Sequence, residues 1–319
     1  MPALRIIFMG SASLSCASLQ ALLSAPGVQV VAAITQPDRP KGRDLKLHAS
    51  PVKELAASAG LPVLQPQRAR DPRFGVELSQ LRPDLIAVAA YGQILPQTIL
   101  DLPPHGCVNV HTSLLPKYRG AAPIQWAILN DEPQTGATIM KMDAGLDTGA
   151  ILAQAATPIY PHDTAETLHD RLAQLGADLL VRTIPDYVAG KCQPHPQSAE
   201  GATFAPKIKK EDGCIDWNQP ARVIWNRVRG LTPWPGTFTF IPAAPTPHLL
   251  KIWQADVVDV QGTPGEVLRA EHSGIVIGCG QRALRVLILQ LEGGRRLSAG
   301  QFLAGHSLEH GQHLVRDRL

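Results

Sequence analysis

Apolar runs alternate with polar segments rich in glycine and proline along the first part of the chain. They predict strands at 4–8, 28–35, 62–64, 84–91, 107–111, 137–142 and 150–155, with helices at 13–24, 51–59, 72–81, 121–130 and 164–183. The stretch Asp84–Tyr91 is almost unbroken apolar, which is typical of a strand buried on both faces of a parallel sheet. Strands that alternate with helices in this way predict an α/β fold with a mostly parallel sheet.

The pattern of elements changes after the stretch G-K-C-Q-P-H-P-Q-S-A-E-G-A-T-F-A-P-K, which is typical of a linker. One helix is predicted at 220–230, followed by short strands at 237–241, 249–258, 265–268, 274–277 and 283–291. Many short strands broken by glycine and proline favour a small β-barrel. We therefore predict a catalytic α/β domain over residues 1–189, a linker over 190–208 and a second domain over 209–319.

Two polar residues stand at the end of the strand predicted at 107–111. Because residues two apart on a strand point to the same side, Asn109 and His111 should share one face of the sheet. Ligands of open α/β sheets bind beyond the carboxyl ends of the strands, where His111 is expected. Asp147 lies in the loop D-A-G-L-D-T-G between the next two strands, and we expect it to reach the same face.

An amide, an imidazole and a carboxylate brought together suit a particular chemistry. The amide of Asn109 would hold a developing oxyanion, and a carboxylate beside His111 would favour the protonated imidazole. No covalent nucleophile belongs to the trio, which fits direct acyl transfer to an amine with His111 and Asp147 managing the protons. Each residue taken alone has an ordinary structural interpretation, as a turn cap, a buried histidine or a loop residue.

The motif N-x-H-x-S-L-L-P-x-x-R-G, followed by M-D-x-G-L-D-T-G, resembles the formyltransferase family that uses 10-formyltetrahydrofolate. This resemblance implies a Rossmann-like formyltransferase domain, with Asn109, His111 and Asp147 as catalytic residues acting through a tetrahedral intermediate. It also implies that the folate co-substrate contacts the loop from Asp143 to Asp147 and the following residues: Gln93, Ile94, Leu95, Ser113, Leu114, Leu115 and Pro116.

Two later stretches, T-F-A-P-K-I-K-K-E-D-G-C-I-D-W and R-G-L-T-P-W-P-G, resemble the second domain of family members that formylate initiator methionyl-tRNA. That domain is an oligonucleotide-binding-like barrel, and the resemblance implies translation initiation as the process served. The basic segment 36–53 corresponds to a loop that enters the tRNA acceptor region. The residues expected to contact tRNA are Arg39, Lys41, Arg43, Lys207 and Lys209.

The composition limits the classes of protein to which the chain can belong. Hydrophobic residues at 45% and charged residues at 18% indicate a soluble globular protein, and a net charge of +3 permits a polyanionic partner without demanding one. The five scattered cysteines form no C-x-x-C pair, and no cluster with metal-ligand spacing appears, so we expect neither disulfides nor a metal. The first strand is followed by G-S-A-S-L-S, which lacks the glycines of a dinucleotide motif, so no nucleotide cofactor is expected. With no signal peptide or membrane span recognised, we expect a cytoplasmic monomer.

Three alternatives stay open at this point. The chain could formylate a small amine such as an amino-sugar nucleotide, although the basic segment 36–53 favours tRNA. It could be a hydrolase that uses Cys107, which shares the strand face of Asn109 and His111, or a tRNA-binding protein with an inactive catalytic domain. Lys117 and Arg119, in the turn after the motif, are either solvated surface charges or anion contacts for folate or tRNA.

Overall fold

The computed structural model describes residues 2–41, 46–243 and 245–316. The chain forms two compact units that interleave along the sequence. The first contains Met1–Pro123, Gln134–Pro158 and His169–Ala205, and the second contains Ile124–Pro133, Ile159–Leu168 and Pro206–Leu319. Among the described residues, no helix is both long enough and apolar enough to cross a membrane.

A seven-stranded sheet forms the centre of the first unit. The strands up to the linker are β1 Leu4–Gly10, β2 Val28–Ile34, β3 Arg39–Lys41, β4 Lys46–His48, β5 Val63–Leu64, β6 Leu85–Ala89, β7 Cys107–His111, β8 Arg119–Gly120, β9 Gln134–Lys141, β10 Ile151–Pro158 and β11 Phe204–Ala205. The helices are α1 Leu14–Ser24, α2 Pro51–Ser58, α3 Pro72–Gln80, α4 Gln97–Leu100, α5 Pro123–Leu129 and α6 Ala165–Val188. The sheet has the order β10-β9-β7-β6-β1-β2-β5. Its strands β5, β2, β1, β6 and β7 are parallel, while β9 runs antiparallel to β7 and β10 antiparallel to β9.

Both faces of this sheet are covered, which explains the continuous apolar character of its strands. On β1, Ile6 and Phe8 belong to one buried cluster, and Ile7 and Met9 belong to another on the opposite face. Helices α1, α2 and α6 supply the first cluster, and α3 and α4 supply the second. Val108 and Val110 of β7 pack in the first cluster, so Asn109 and His111 point to the other side, as predicted.

The segment 36–53, expected to be one long extended loop, contains a short hairpin instead. Strands β3 and β4 pair antiparallel, with Pro40 opposite Leu47. The alternation of apolar and polar residues that would identify such strands is absent, and the strand residues whose exposure is described, Arg39, Pro40, Leu47 and His48, are all exposed. Its base is fixed by Asp38, whose carboxylate accepts hydrogen bonds from Lys53 Nζ at 2.6 Å and from Gln65 Nε2 at 2.7 Å. These bonds, that of Lys53 above all, lower the pKa of Asp38.

An antiparallel sheet and two helices form most of the second unit. Its elements are α7 Ala221–Gly230, β12 Thr237–Ile241, β13 His248–Val258, β14 Val267–Glu271, β15 Gly274–Gly278, β16 Ala283–Leu291, β17 Leu297–Ser298 and α8 Ala299–Leu303, preceded by a 3₁₀ turn at Lys210–Gly213. The strand order is β12-β13-β16-β15-β14, with β17 beside β16. The predicted class, a mostly parallel α/β domain followed by a β domain, is confirmed, while closure of the second sheet into a barrel remains a prediction.

The C-terminal segment of the second unit links the two edge strands of this sheet. Val315 exchanges two backbone hydrogen bonds of 2.9 Å with Phe240 on β12. Val267 at the start of β14 donates to Gln312 O at 2.8 Å. Between these contacts Leu314, only 4% exposed, packs in the hydrophobic core of the unit. A short tail thus satisfies backbone groups that would otherwise be left open on two strand edges.

Replacement of Leu314 by alanine should lower the free energy of unfolding of the second unit by about 2–5 kcal/mol, because it removes a buried side chain and leaves a cavity. All five tryptophans lie in this unit, so denaturation followed by tryptophan fluorescence reports on it. Val223→Ala is the matched control, since Val223 lies in the same unit and is 37% exposed. Equal effects of the two substitutions would contradict a structural role for the tail.

Candidate active site

His111 ends β7 at the carboxyl edge of the parallel strands, next to β6. Its imidazole is only 6% exposed and lies between two oxygen atoms that come from different loops. Nε2 is 2.9 Å from the carbonyl oxygen of Tyr118, and Nδ1 is 3.8 Å from Oδ2 of Asp147. Because a carbonyl oxygen only accepts, Nε2 carries a proton and Nδ1 is the nitrogen directed toward the carboxylate.

Asp147 is held in a backbone conformation that few non-glycine residues adopt. Its φ is +52°, and its Oδ2 accepts a hydrogen bond of 2.8 Å from the backbone N–H of Gly120. Gly149, two residues later, lies so close to the backbone that an added Cβ would be 1.9 Å from Lys141 O. Asp143 begins the same loop, is exposed, and accepts hydrogen bonds from Gly145 N and Thr148 Oγ1. The loop is therefore internally ordered and presents the Asp147 carboxylate toward His111.

Asn109 lies on the same strand face as His111 and is partly exposed. Among the described residues, none forms a hydrogen bond with its side-chain amide. An amide at the edge of a site with unused donors is available to a ligand oxygen. The structure thus brings Nδ1 of His111 to 3.8 Å from Oδ2 of Asp147, with Asn109 two residues before His111 on the same strand face.

The turn after β7 contains four of the predicted folate contacts, and side chains of β9 and β10 form hydrogen bonds with its backbone. Thr138 on β9 donates through its hydroxyl to Ser113 O at 2.6 Å, and Gln154 on β10 donates to Leu115 O at 2.9 Å. The side chains of Ser113 and Leu115 are buried, Leu114 is half-buried, and the Leu115–Pro116 peptide bond is cis. The Ser113 hydroxyl is used within the turn, since it donates to Lys117 O at 2.6 Å.

The other predicted folate segment follows β6. Ile94 is 81% exposed, whereas Leu95 is buried. Ile94 lines a cavity of about 490 Å³ with Gln93, Ala69 and two arginines, Arg68 and Arg70. An apolar side chain and two guanidinium groups around one cavity suit a ligand that is partly apolar and carries negative charge.

The predicted tRNA contacts are surface residues where the structure describes them. Arg39 is exposed and donates a hydrogen bond to Gln36, and Lys207 and Lys209 are exposed in the second unit. Lys41 lies in β3, and Arg43 lies outside the described residues.

Two of the five tryptophans of the second unit belong to its core. Trp217 and Trp225 are 4% and 9% exposed and lie in its hydrophobic cluster. Trp253 is partly exposed, with the guanidinium carbon of Arg296 at 3.6 Å from its ring centroid. The side chain of Trp234 is 57% exposed to solvent.

Cys107 shares the strand face of the site but is buried beneath it. It is 1% exposed, its Sγ contacts Ile99 O at 3.6 Å, and burial raises the pKa of its thiol to about 12. A thiol in this state is not a nucleophile at neutral pH. Within the described ranges, no group of three or more histidine, cysteine and acidic residues has metal-binding geometry.

Sequence reasoning missed Gln197, which lies in the predicted linker. Its Nε2 donates to Asp147 O at 2.8 Å and to Gly149 O at 2.7 Å, and its Oε1 accepts from Arg119 Nη2 at 2.7 Å. The Arg119 guanidinium thus forms hydrogen bonds within the protein. The sequence pattern had indicated only a solvated surface charge or an anion contact at this position. Gln193 and Gln197 both lie in this segment, and nothing in its sequence singles out Gln197 for such a role.

Two family models match the chain, namely "Formyl transferase" over residues 4–184 and "Formyl transferase, C-terminal domain" over residues 207–307. Methionyl-tRNA formyltransferase of Geobacter sulfurreducens is 49% identical over 314 residues, covering 98% of both chains. The enzyme of the same name from Caldanaerobacter subterraneus is 49% identical over 311 residues, covering 97% of this chain and 99% of its own.

Solved structures with lower identity share the fold. WlaRD, a sugar 3N-formyl transferase, aligns with a TM-score of 0.64 at 18% identity over 90% of this chain and 98% of its own. HypX from Aquifex aeolicus, solved with tetrahydrofolic acid, aligns with a TM-score of 0.60 at 18% identity over 97% of this chain and 50% of its own. Together with the two domain matches and the near-complete coverage by close relatives, these findings show that the chain belongs to the formyltransferase family, in its methionyl-tRNA formyltransferase branch.

Proposed function

We propose that this chain transfers the formyl group of 10-formyltetrahydrofolate to the α-amino group of methionine carried by initiator tRNA. The observation that carries the proposal is the buried His111–Asp147 pair at the carboxyl edge of the sheet. It occurs in a chain that is 49% identical to a methionyl-tRNA formyltransferase over nearly its full length. The process served is translation initiation, in which we expect the protein to act as a cytoplasmic monomer.

Each member of the trio has a distinct task in this proposal. Asn109 directs its unused amide donors at the carbonyl oxygen of the transferred group, where negative charge develops during attack. His111, anchored through Nε2 on Tyr118 O, moves its imidazole little and exchanges a proton at Nδ1. Asp147 stabilises the protonated form of His111 and, through water, accepts the proton that the neutral attacking amine loses. As the bond between the formyl carbon and the donor nitrogen breaks, tetrahydrofolate leaves with a proton delivered from His111 Nδ1, and the formyl group stays on the amine.

The donor binds, in this proposal, between the segment after β6 and the loop at 143–147. When bound, 10-formyltetrahydrofolate supplies an activated N-acyl group. Ile94, which is 81% exposed and lines the cavity of about 490 Å³, offers an apolar contact, and the turn at 113–116 is the other segment expected to contact the donor. Arg68 and Arg70 line the same cavity and are suited to negatively charged parts of the ligand.

The acceptor end of the tRNA is recognised through basic residues on both units. Arg39, Lys41 and Arg43 belong to the segment that carries the hairpin β3–β4, and Lys207 and Lys209 open the second unit. Contacts to phosphates release counterions from the tRNA on binding. The affinity that they add therefore falls as the salt concentration rises.

Replacement of His111 by alanine should lower the turnover number by about 10²–10⁴-fold, the usual contribution of a general acid–base group. Transfer of labelled formyl to methionyl-tRNA measures the effect, and circular dichroism checks the fold. His169→Ala is the control, because His169 is a surface histidine whose side chain is 30% exposed. Near wild-type turnover in the His111 variant would refute the assignment.

A panel of acceptors should separate the proposed substrate from its alternative. We expect formyl transfer to initiator methionyl-tRNA, little to elongator methionyl-tRNA and none to free methionine, with a KM for tRNA that rises with salt. Transfer to an amino-sugar nucleotide with none to tRNA would instead support the small-amine alternative. A tRNA-binding protein without activity is refuted by measurable turnover.

Replacement of Cys107 by alanine should leave the turnover number unchanged within about twofold, because a protonated buried thiol makes no contribution to the chemistry. Formyl transfer is the measurement, and an excess of alkylating reagent at neutral pH should likewise leave the intact enzyme active. Loss of turnover in a folded Cys107→Ala protein would revive a thiol mechanism.

A further inference from the structure

We propose that Gln197 is a positioning residue that sets the distance between Asp147 and His111 by tying together the two loops that hold them. The inference rests on the proposed function and goes beyond it, since it assigns a catalytic consequence to the segment between the two domains. That segment lies outside both family matches, which cover residues 4–184 and 207–307.

The two loops are joined by the hydrogen bond from Gly120 N–H to the Asp147 carboxylate and, in addition, by the side chain of Gln197. On one side, its amide N–H groups bind the carbonyl oxygens of Asp147 and Gly149, at 2.8 and 2.7 Å. On the other side, its Oε1 accepts two hydrogen bonds from Arg119, from Nε at 3.1 Å and from Nη2 at 2.7 Å. One glutamine therefore uses both ends of its amide to join the loop at 147–149 to the loop at 118–120.

Both joined loops contact the imidazole of His111. The residue before Arg119, Tyr118, accepts the hydrogen bond of His111 Nε2, and the residue after it, Gly120, donates to the Asp147 carboxylate. A shift of either loop would change the 3.8 Å separation of Nδ1 from the carboxylate oxygen. Ion-pair and proton-transfer geometry deteriorates quickly with such shifts.

The segment itself does not need Gln197 in order to stay in position. Upstream, His195 exchanges two backbone hydrogen bonds of 2.8 Å with Ile151. Downstream, Thr203 accepts through its hydroxyl from Tyr118 N at 2.9 Å, and β11 pairs with β8. Gln197 is half-buried while Pro196 and Ser198 beside it are exposed, so its side chain is the part of this stretch turned toward the site. Its contribution is thus to the spacing of the loops rather than to the path of the chain.

Replacement of Gln197 by glutamate tests this role with little change in size. The carboxylate retains acceptors for Arg119 but cannot donate to the carbonyl oxygens of Asp147 and Gly149, which it repels. We expect Gln197→Glu and Gln197→Ala to lower the turnover number by about 10- to 100-fold, while the KM for 10-formyltetrahydrofolate changes by less than about twofold. Rates are normalised to the folded fraction, so that a merely structural effect would leave them unchanged.

A double-mutant cycle with Arg119→Ala adds a second criterion. Because both side chains act through one contact, the double variant should be no slower than the slower single variant, within about twofold. Gln193→Ala is the matched control, since Gln193 is exposed in the same segment and, among the described residues, its side chain forms a hydrogen bond only with Gly190 O.

The outcomes separate the two proposals. Wild-type turnover in the Gln197 variants, or an effect confined to KM, would overturn the positioning role while leaving the formyltransferase assignment intact. Fully multiplicative effects of Arg119→Ala and Gln197→Ala would also overturn it. Absence of formyl transfer by the wild-type protein to methionyl-tRNA would overturn the proposed function and this inference with it.

Discussion

The site depends on one constraint, namely that the imidazole of His111 must lie between two oxygen atoms supplied by separate loops. The strand fixes only the backbone end of this side chain. The carbonyl oxygen of Tyr118 determines which nitrogen is protonated, and the carboxylate of Asp147 determines what the other nitrogen faces. A well-packed sheet alone would leave the ring free to rotate, so the chemistry depends on how firmly the two loops are held.

These loops adopt backbone conformations that are costly without support. Tyr118 and Asp147 both have positive φ values, +62° and +52°, which the surrounding hydrogen bonds must maintain. Gly120 adds a third such position, and a Cβ there would lie 2.7 Å from Ala205 O. Two of the six non-glycine residues with positive φ in the described part of the chain therefore lie beside the imidazole, while β7 pairs with β6 and β9 without a register shift.

Sequence patterns predicted the parts of the molecule in which local preference and burial agree. The strand Cys107–His111 and the face shared by Asn109 and His111 follow from alternation, and the helix at Pro51 follows from the Ser50 cap, whose hydroxyl accepts from Lys53 N at 3.1 Å. The grouping of the trio required long-range contacts, and a family resemblance supplied what spacing alone could not.

Other features left no local trace. In the paired strands β3 and β4, the residues whose exposure is described all face solvent, so burial creates no pattern there. Gln197 acts through hydrogen bonds to backbone oxygens, and backbone oxygens are the same whatever the sequence. The C-terminal tail is recognisable only once the edges that it covers have been formed by strands far away in the chain. Contacts of this kind become visible only in the folded structure.

The interleaving of the two units has a consequence for how such proteins can be recombined. Asp131, although it precedes the linker, belongs to the second unit and is bound there by Arg222 at 2.7 Å. Arg229 likewise binds the carbonyl oxygens of Tyr160 and Asp163, each at 3.1 Å. A chimera spliced at the linker would therefore inherit these partner segments from a different parent than their arginines. Exchange of the second unit between distant relatives would therefore have to transfer several separate segments of the gene together. Each arginine and the residues that it binds would have to come from the same parent.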